Sequence, residues 1–177
     1  MYWLAIPILL GIYALFNESS SKEEKNAKEN WVNKKKDIQH RIIENRSEIE
    51  QKISNNKNIQ NFEVLRNMHY SSFTVANVAW KLLEDAKTYI HGIENMISNS
   101  IKEKNKTSNK NDLNKINNYI NALKREKEKI KTESNKMRTE LTKLNSQTSR
   151  LKYTIRNKCG HQGENWYNRL EERKRRK

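Results

Sequence analysis

The sequence has very little of the residues that bend or cross-link a chain. Its 177 residues include one cysteine, one proline and four glycines. A single cysteine, Cys159, excludes an intrachain disulfide framework, and so few helix breakers favour long uninterrupted helices. Because apolar residues make up only 34% of the chain and charged residues 32%, we do not expect a large compact core.

The sequence also lacks the motifs that indicate catalysis or metal binding. It has no glycine-rich phosphate loop, no nucleophile elbow and no His-Glu-x-x-His pair. Cys159 and His161 would supply two zinc ligands, but no second pair is nearby. We therefore expect no cofactor, no metal site and no enzymatic activity.

Basic residues are concentrated in the second half of the chain. Of a net charge of +15, residues 102–158 contribute +11, from 17 basic and 6 acidic side chains. A long positive surface attracts the phosphates of nucleic acid or of an anionic lipid leaflet. Charge runs also commonly do no more than solubilise a helix, and the sequence leaves both interpretations open.

The first sixteen residues contain no charged side chain and have aromatic residues at both ends, as interfacial anchoring requires. A helix of this length is about 24 Å long, against a hydrocarbon core of ~30 Å. Residues 1–17 are therefore predicted to form a short membrane anchor that contacts the bilayer through residues 1–16. Lysines follow this segment and none precedes it, which predicts a single-pass protein with a cytoplasmic body. A cleaved signal peptide and a buried or interfacial apolar helix are the alternatives.

The rest of the chain is predicted to be all-α, an elongated helical bundle or coiled coil. Residues 18–58 read as a first helix or stalk with a thin apolar stripe, and the polar residues 54–58 indicate a turn. Residues 59–158 are predicted to form an antiparallel helical hairpin, with its turn at about 102–112. Residues 59–101 have two adjoining apolar rows, a wide face that suits a buried bundle helix.

The second arm of this hairpin has a heptad pattern. Its core-type residues between Leu113 and Ile155 are spaced three and four apart without a slip. A spacing that averages 3.5 residues keeps one stripe towards a partner helix, so residues 113–155 are predicted to form a coiled coil. The chain is predicted to be a homo-oligomer, and the flanking charges make it a parallel homo-oligomer. The apolar residues predicted to form the oligomer seam are Ile116, Leu123, Ile130, Met137, Leu144 and Leu151.

The charges that flank this stripe favour parallel pairing. Glutamates occupy one flank and lysines or arginines the other, so Glu126 would meet Lys131 between two parallel chains. Glu133 would meet Arg138 in the same way. The same alternation also supports a single helix through pairs along its surface, and packing within the hairpin is the competing interpretation.

The tail, residues 159–177, contains two glycines that interrupt the helical pattern. Aromatic residues beside arginines are typical of docking segments, but such a tail could equally fold back and cap the bundle. The candidate docking residues are Trp166, Tyr167, Arg169 and Arg173. The polybasic end, suited to lipid headgroups or nucleic acid, consists of Arg173, Lys174, Arg175, Arg176 and Lys177.

Together these features predict a non-catalytic, membrane-tethered coiled-coil scaffold or tether. It would self-associate and present a basic C-terminal docking tail to a protein partner. One alternative is binding of nucleic acid or an anionic membrane surface through residues 102–177. The other is an exported, envelope-spanning rod, as in phage lysis proteins with an N-terminal anchor.

Overall fold

A computed structural model describes residues 20–55 and 61–176 of the protein. They form an all-α structure of four helices packed as a bundle, which confirms the predicted fold class at this level. The predicted anchor, residues 1–17, and residues 56–58 of the predicted turn lie outside the described residues. The helices are α1 (Lys22–Asn55), α2 (Phe62–Lys104), α3 (Lys110–Lys158) and α4 (Gly160–Arg175). Within the described ranges, no helix has both the length and the apolar character needed to cross a membrane.

Local sequence sets the helix ends. Ser21 and Glu24 cap α1 reciprocally: the Ser21 amide donates to Glu24 Oε2 at 2.8 Å, and the Glu24 amide donates to Ser21 Oγ at 3.2 Å. Between α2 and α3, Asn109 Oδ1 accepts a hydrogen bond from the Asn111 amide at 2.9 Å. The connection from α2 to α3 therefore lies in the polar segment that the sequence assigns to a turn.

The chain divides into two compact units. Among the described residues, the first unit comprises 20–35 and 81–136, and the second comprises 36–55, 61–80 and 137–176. In the first unit, Lys127 Nζ lies 2.6 Å from Glu94 Oε1 and joins α3 to α2, and an ion pair between Lys35 and Glu133 joins α1 to α3. The largest fully buried side chains of this unit are Trp31, Leu83, Ile93, Leu123 and Ile130.

The first unit also buries a charged side chain. Lys28 on α1 is only 3% exposed. Burial lowers the pKa of its ammonium group to about 8, while the negative charge of Glu126 acts in the opposite direction. An ammonium group removed from water destabilises the fold unless its partners compensate fully.

The second unit contains the end of α1, the beginning of α2, the end of α3 and the whole of α4. An ion pair between Arg46 and Glu140 joins α1 to α3. The Ser71 hydroxyl donates to Asn45 Oδ1 at 3.0 Å and joins α2 to α1. The largest fully buried side chains of this unit are Ile42, Ile49, Leu65, Met137, Leu141 and Leu144.

Candidate functional site

The stripe of α3 that predicts a coiled-coil seam is enclosed within the single chain. Five of its six residues are no more than 1% exposed, and the sixth, Ile116, is half-buried. A side chain that its own chain already covers has little apolar area left to bury against a second copy. Pairing between chains through this stripe stays a prediction. The five enclosed residues are Leu123, Ile130, Met137, Leu144 and Leu151.

The residues predicted to pair between chains make contacts within the chain. Glu133 is bound by Lys35 of α1, whereas its predicted interchain partner, Arg138, is exposed. The interchain pair therefore competes with an ion pair that the chain makes by itself.

The second predicted pair is engaged along the surface of α3. Glu126 Oε2 lies 3.9 Å from Lys129 Nζ, and Lys131 Nζ lies 3.2 Å from Glu128 Oε1. Pairs three residues apart on a helix surface contribute only a few tenths of a kcal/mol. These contacts stabilise α3 slightly and leave interchain pairing of Glu126 with Lys131 as a prediction.

Two glycines reverse the chain after α3. Gly160 has a φ of +56°, in the left-handed region that glycine enters without strain. Gly163 then packs against the end of α3, where an added Cβ would overlap the carbonyl oxygen of Ile155 and lie 2.9 Å from the Cβ of Cys159. Gly160 therefore permits the turn and Gly163 permits the close packing that follows.

Trp166 anchors the tail helix to α2. Its side chain is buried, and its indole N–H donates to the hydroxyl of Tyr70 at 3.3 Å. Its ring meets His69 edge to face at 5.0 Å between centroids, and meets Phe62 at 6.4 Å in the same manner. Aromatic pairs in this arrangement add to the energy of area burial. The tail thus folds back on its own chain, one of the two alternatives that the sequence leaves open.

His69 lies under Trp166 as a neutral ring. Burial, together with the positive charges of Lys152 and Lys174, lowers the pKa of its imidazole to about 4. Its Nδ1 is buried and has no hydrogen-bond partner among the described residues. Protonation of His69 would add a third positive charge beside those of Lys152 and Lys174, inside a packed aromatic cluster.

A second line of contacts holds α4 to α3. Lys152 Nζ and the Arg156 guanidinium carbon each lie 4.7 Å from the centroid of the Tyr167 ring, within the range of cation–π attraction. Lys152 also forms an ion pair with Glu171, and this contact lowers the pKa of the Glu171 carboxyl group. Tyr167 therefore helps to hold α4 against α3 and is not fully exposed to solvent.

The arginines of the tail remain on the outside. Arg169 and Arg173 are exposed, and the last turn of α4 carries Arg173, Lys174 and Arg175. Arg176 follows as the exposed C-cap residue, and Lys177 lies outside the described residues. The aromatic half of the predicted docking motif thus fixes the helix, while its two arginines are exposed.

A groove of about 520 Å³ lies in the second unit beside the C-terminal end of α4, where that helix meets α2 and α3. Phe73, Ala76 and Leu170 contribute apolar surface to it. Lys152, Arg173 and Lys174 also line it, and no aspartate or glutamate is among the described residues of its lining. The sequence gives no sign of this groove, because its residues come from three separate helices.

Across residues 20–55 and 61–176, no group of three or more histidine, cysteine, aspartate or glutamate side chains is placed to hold a metal ion.

Comparison with known proteins gives no relative: no family model, no curated protein and no solved structure matches the chain.

Proposed function

We propose that this protein is a non-catalytic, membrane-tethered helical scaffold that presents the basic helix α4 as a docking element. The observation that carries the proposal is the packing of α4 against α2. Trp166 is fixed by three rings of α2, while Arg169 and Arg173 on the same helix stay exposed. A rigid helix with an anchored inner face and a cationic outer face suits recognition of an acidic partner.

The tethering part of the proposal rests on the sequence of residues 1–16. An uncharged segment with aromatic ends, followed by lysines, is typical of a short membrane anchor with the body on the cytoplasmic side. Protease access to α4 in intact cells tests this topology. Cleavage from outside would instead support the exported, envelope-spanning rod.

Flotation with lipid vesicles tests the tether. We expect the full chain to float with neutral phosphatidylcholine vesicles at both low and high salt, because apolar insertion is insensitive to ionic strength. A matched variant, Leu9→Arg, places a charge in the middle of the apolar segment at a cost of about 3 kcal/mol and should float less. Failure of the wild-type chain to float with neutral vesicles would contradict the tether.

Self-association remains part of the proposal. Light scattering of the full chain in a neutral detergent, at low and high salt, measures it directly. An oligomer that survives high salt supports a scaffold held by apolar contacts. A monomer at both salt concentrations would restrict the function to that of a tether with a docking helix.

A second candidate function is binding of an anionic surface or nucleic acid through residues 102–177. The charge distribution favours it, because residues 102–158 contribute +11 and residues 159–177 contribute +3 of the total of +15. Binding of this kind weakens steeply with salt. This function would be supported over the tether if the chain floated only with anionic vesicles and lost that binding at high salt. Nucleic-acid binding that is lost at high salt would support it in the same way.

A further inference from the structure

We infer that the groove between α2, α3 and α4 binds a single-chain anionic amphiphile of the fatty-acid type. Its acyl chain would lie over Phe73, Ala76 and Leu170, and its head group would lie at Arg173, Lys152 and Lys174. This ligand site is separate from the predicted anchor, and it does not depend on the proposed scaffold function.

The apolar part of the groove is open in the free chain. Phe73 is 57% exposed and Tyr70 is 42% exposed, although both line a concave surface. Exposed aromatic rings in a concavity are a favourable surface for an apolar ligand. The volume of about 520 Å³ lies within the range of pockets that hold one small ligand, about 300–1,000 Å³.

The charged part of the groove favours an anion. Three cationic side chains line it, and two of them, Lys152 and Lys174, share the carboxylate of Glu171. Arg173 forms no ion pair within the described part of the chain. A guanidinium group in this position can bind a carboxylate through two charge-assisted hydrogen bonds.

The arrangement of these two parts suits an amphiphile better than a peptide helix. The apolar residues come from α2 and from Leu170 of α4, while the cations lie at the end of α4 and on the facing turn of α3. Asn145 and Ser149 add neutral polar groups on the α3 side. A ligand with one charged end and one apolar chain matches this distribution, and the groove volume is that of a small molecule.

Photolabelling tests the proposal on the full chain in a neutral detergent, which does not require insertion into a bilayer. A fatty acid with a diazirine in its chain is cross-linked, and the labelled peptides are identified by mass spectrometry. We expect labelled peptides from residues 69–76 and 170–174. Oleate should compete with the label, whereas oleyl alcohol, which has the same chain without the charge, should compete about tenfold less well.

Two pairs of variants distinguish binding in the groove from general attraction of the label to the protein surface. Arg173→Glu should lower labelling about tenfold, whereas Arg175→Glu, the same charge change on the same helix outside the groove, should not. Phe73→Ser should lower labelling, whereas Trp80→Ser removes an exposed aromatic of α2 that does not line the groove. Neither Arg173 nor Phe73 is buried, so we expect these variants to fold.

Three results would overturn the inference. An equal loss of labelling in Arg173→Glu and Arg175→Glu would show that the label is attracted by the charge of the basic tail alone. Equal competition by oleyl alcohol would show that no head group is recognised. Displacement of the label by an acidic amphipathic peptide but not by oleate would assign the groove to a peptide. Each result can occur while flotation is unchanged, so failure here is distinct from failure of the proposed tether.

Discussion

The two units share the helices α1, α2 and α3 but bury different polar groups beside their apolar cores. The first unit encloses Lys28, whose ammonium group keeps a pKa of about 8. The second unit adds α4, and beneath it lies His69, whose low pKa keeps the ring neutral at neutral pH. A buried charge weakens a fold at neutral pH, whereas a buried neutral imidazole weakens it only on acidification.

This difference indicates which unit opens more easily when the pH changes. The second unit depends on a helix that one tryptophan and two glycines hold in place, and undocking of that helix would expose an aromatic cluster. The first unit instead carries the electrostatic cost of the buried Lys28 ammonium group, which does not change with pH below about pH 8. We therefore expect the pH-dependent opening of the protein to start in the second unit, and the following variants test the contrast between the units.

The largest effect is expected from Trp166→Ala. Loss of a buried tryptophan costs about 3–5 kcal/mol, and here the cost falls on the docking of α4. Amide hydrogen exchange of residues 160–175 should accelerate strongly, while exchange in the core of the first unit should stay unchanged. Trp80→Ala is the control, because Trp80 is 43% exposed. Equal protection of α4 in the wild type and in Trp166→Ala would show that the aromatic cluster does not hold the tail.

Acidification should weaken the second unit next most strongly. The pKa of His69 is about 4 in the folded chain and 6.5 in its ordinary state, so the unfolded chain binds the proton first as the pH falls. The stability that depends on the neutral His69 ring is fully present above about pH 6.5 and is lost as the pH falls through 4. The loss in the free energy of unfolding has an upper limit of about 3 kcal/mol. Denaturation with urea across this pH range measures it. His69→Phe removes the titrating group, and an identical pH profile in that variant would contradict the assignment.

Replacement of Lys28 should stabilise the first unit. Lys28→Met removes the buried ammonium group and keeps an unbranched apolar chain, which we expect to add about 2 kcal/mol at neutral pH. The folded pKa of Lys28 is lowered to about 8 from 10.5, so the wild type itself gains stability as the pH rises through this interval. The advantage of the variant should therefore shrink above pH 8. Lys36→Met, an exposed position on α1, is the control, and an equal gain there would contradict the account.

The smallest effect is expected from Gly160→Ala. A Cβ at Gly160 meets nothing within 4 Å, so only the left-handed backbone opposes it, at about 1 kcal/mol. Gly163→Ala should cost more, because its Cβ meets the backbone of Ile155. Thermal unfolding of the two variants compares them. A larger loss in Gly160→Ala would show that the turn, and not the close packing of α4 on α3, limits the position of the tail.

The sequence predicts the helical class and the buried stripe of α3, because both depend on local spacing. Leu123, Ile130 and Leu144 are buried as the heptad pattern indicates. The pattern cannot say which chain covers them, since an apolar stripe is satisfied equally by a second copy or by α1 and α2 of the same chain. The interchain interpretation was therefore one of two that the same residues support.

The position of the tail could not be predicted for a different reason. The glycines indicate an interruption, but the direction of α4 depends on contacts between distant residues. The hydrogen bond from Trp166 to Tyr70 joins positions 96 residues apart. The groove forms only when α4 is docked, so local sequence patterns could not predict it either.

The most direct test of this account is a photo-crosslink from Tyr70. Its hydroxyl accepts the Trp166 indole hydrogen bond at 3.3 Å, so a benzoylphenylalanine at position 70 should react with α4. The account predicts a product of monomer mass, with the crosslink between position 70 and residues 163–170 of the same chain. A product of dimer mass as the main species would contradict it, because α4 would then dock on a second copy.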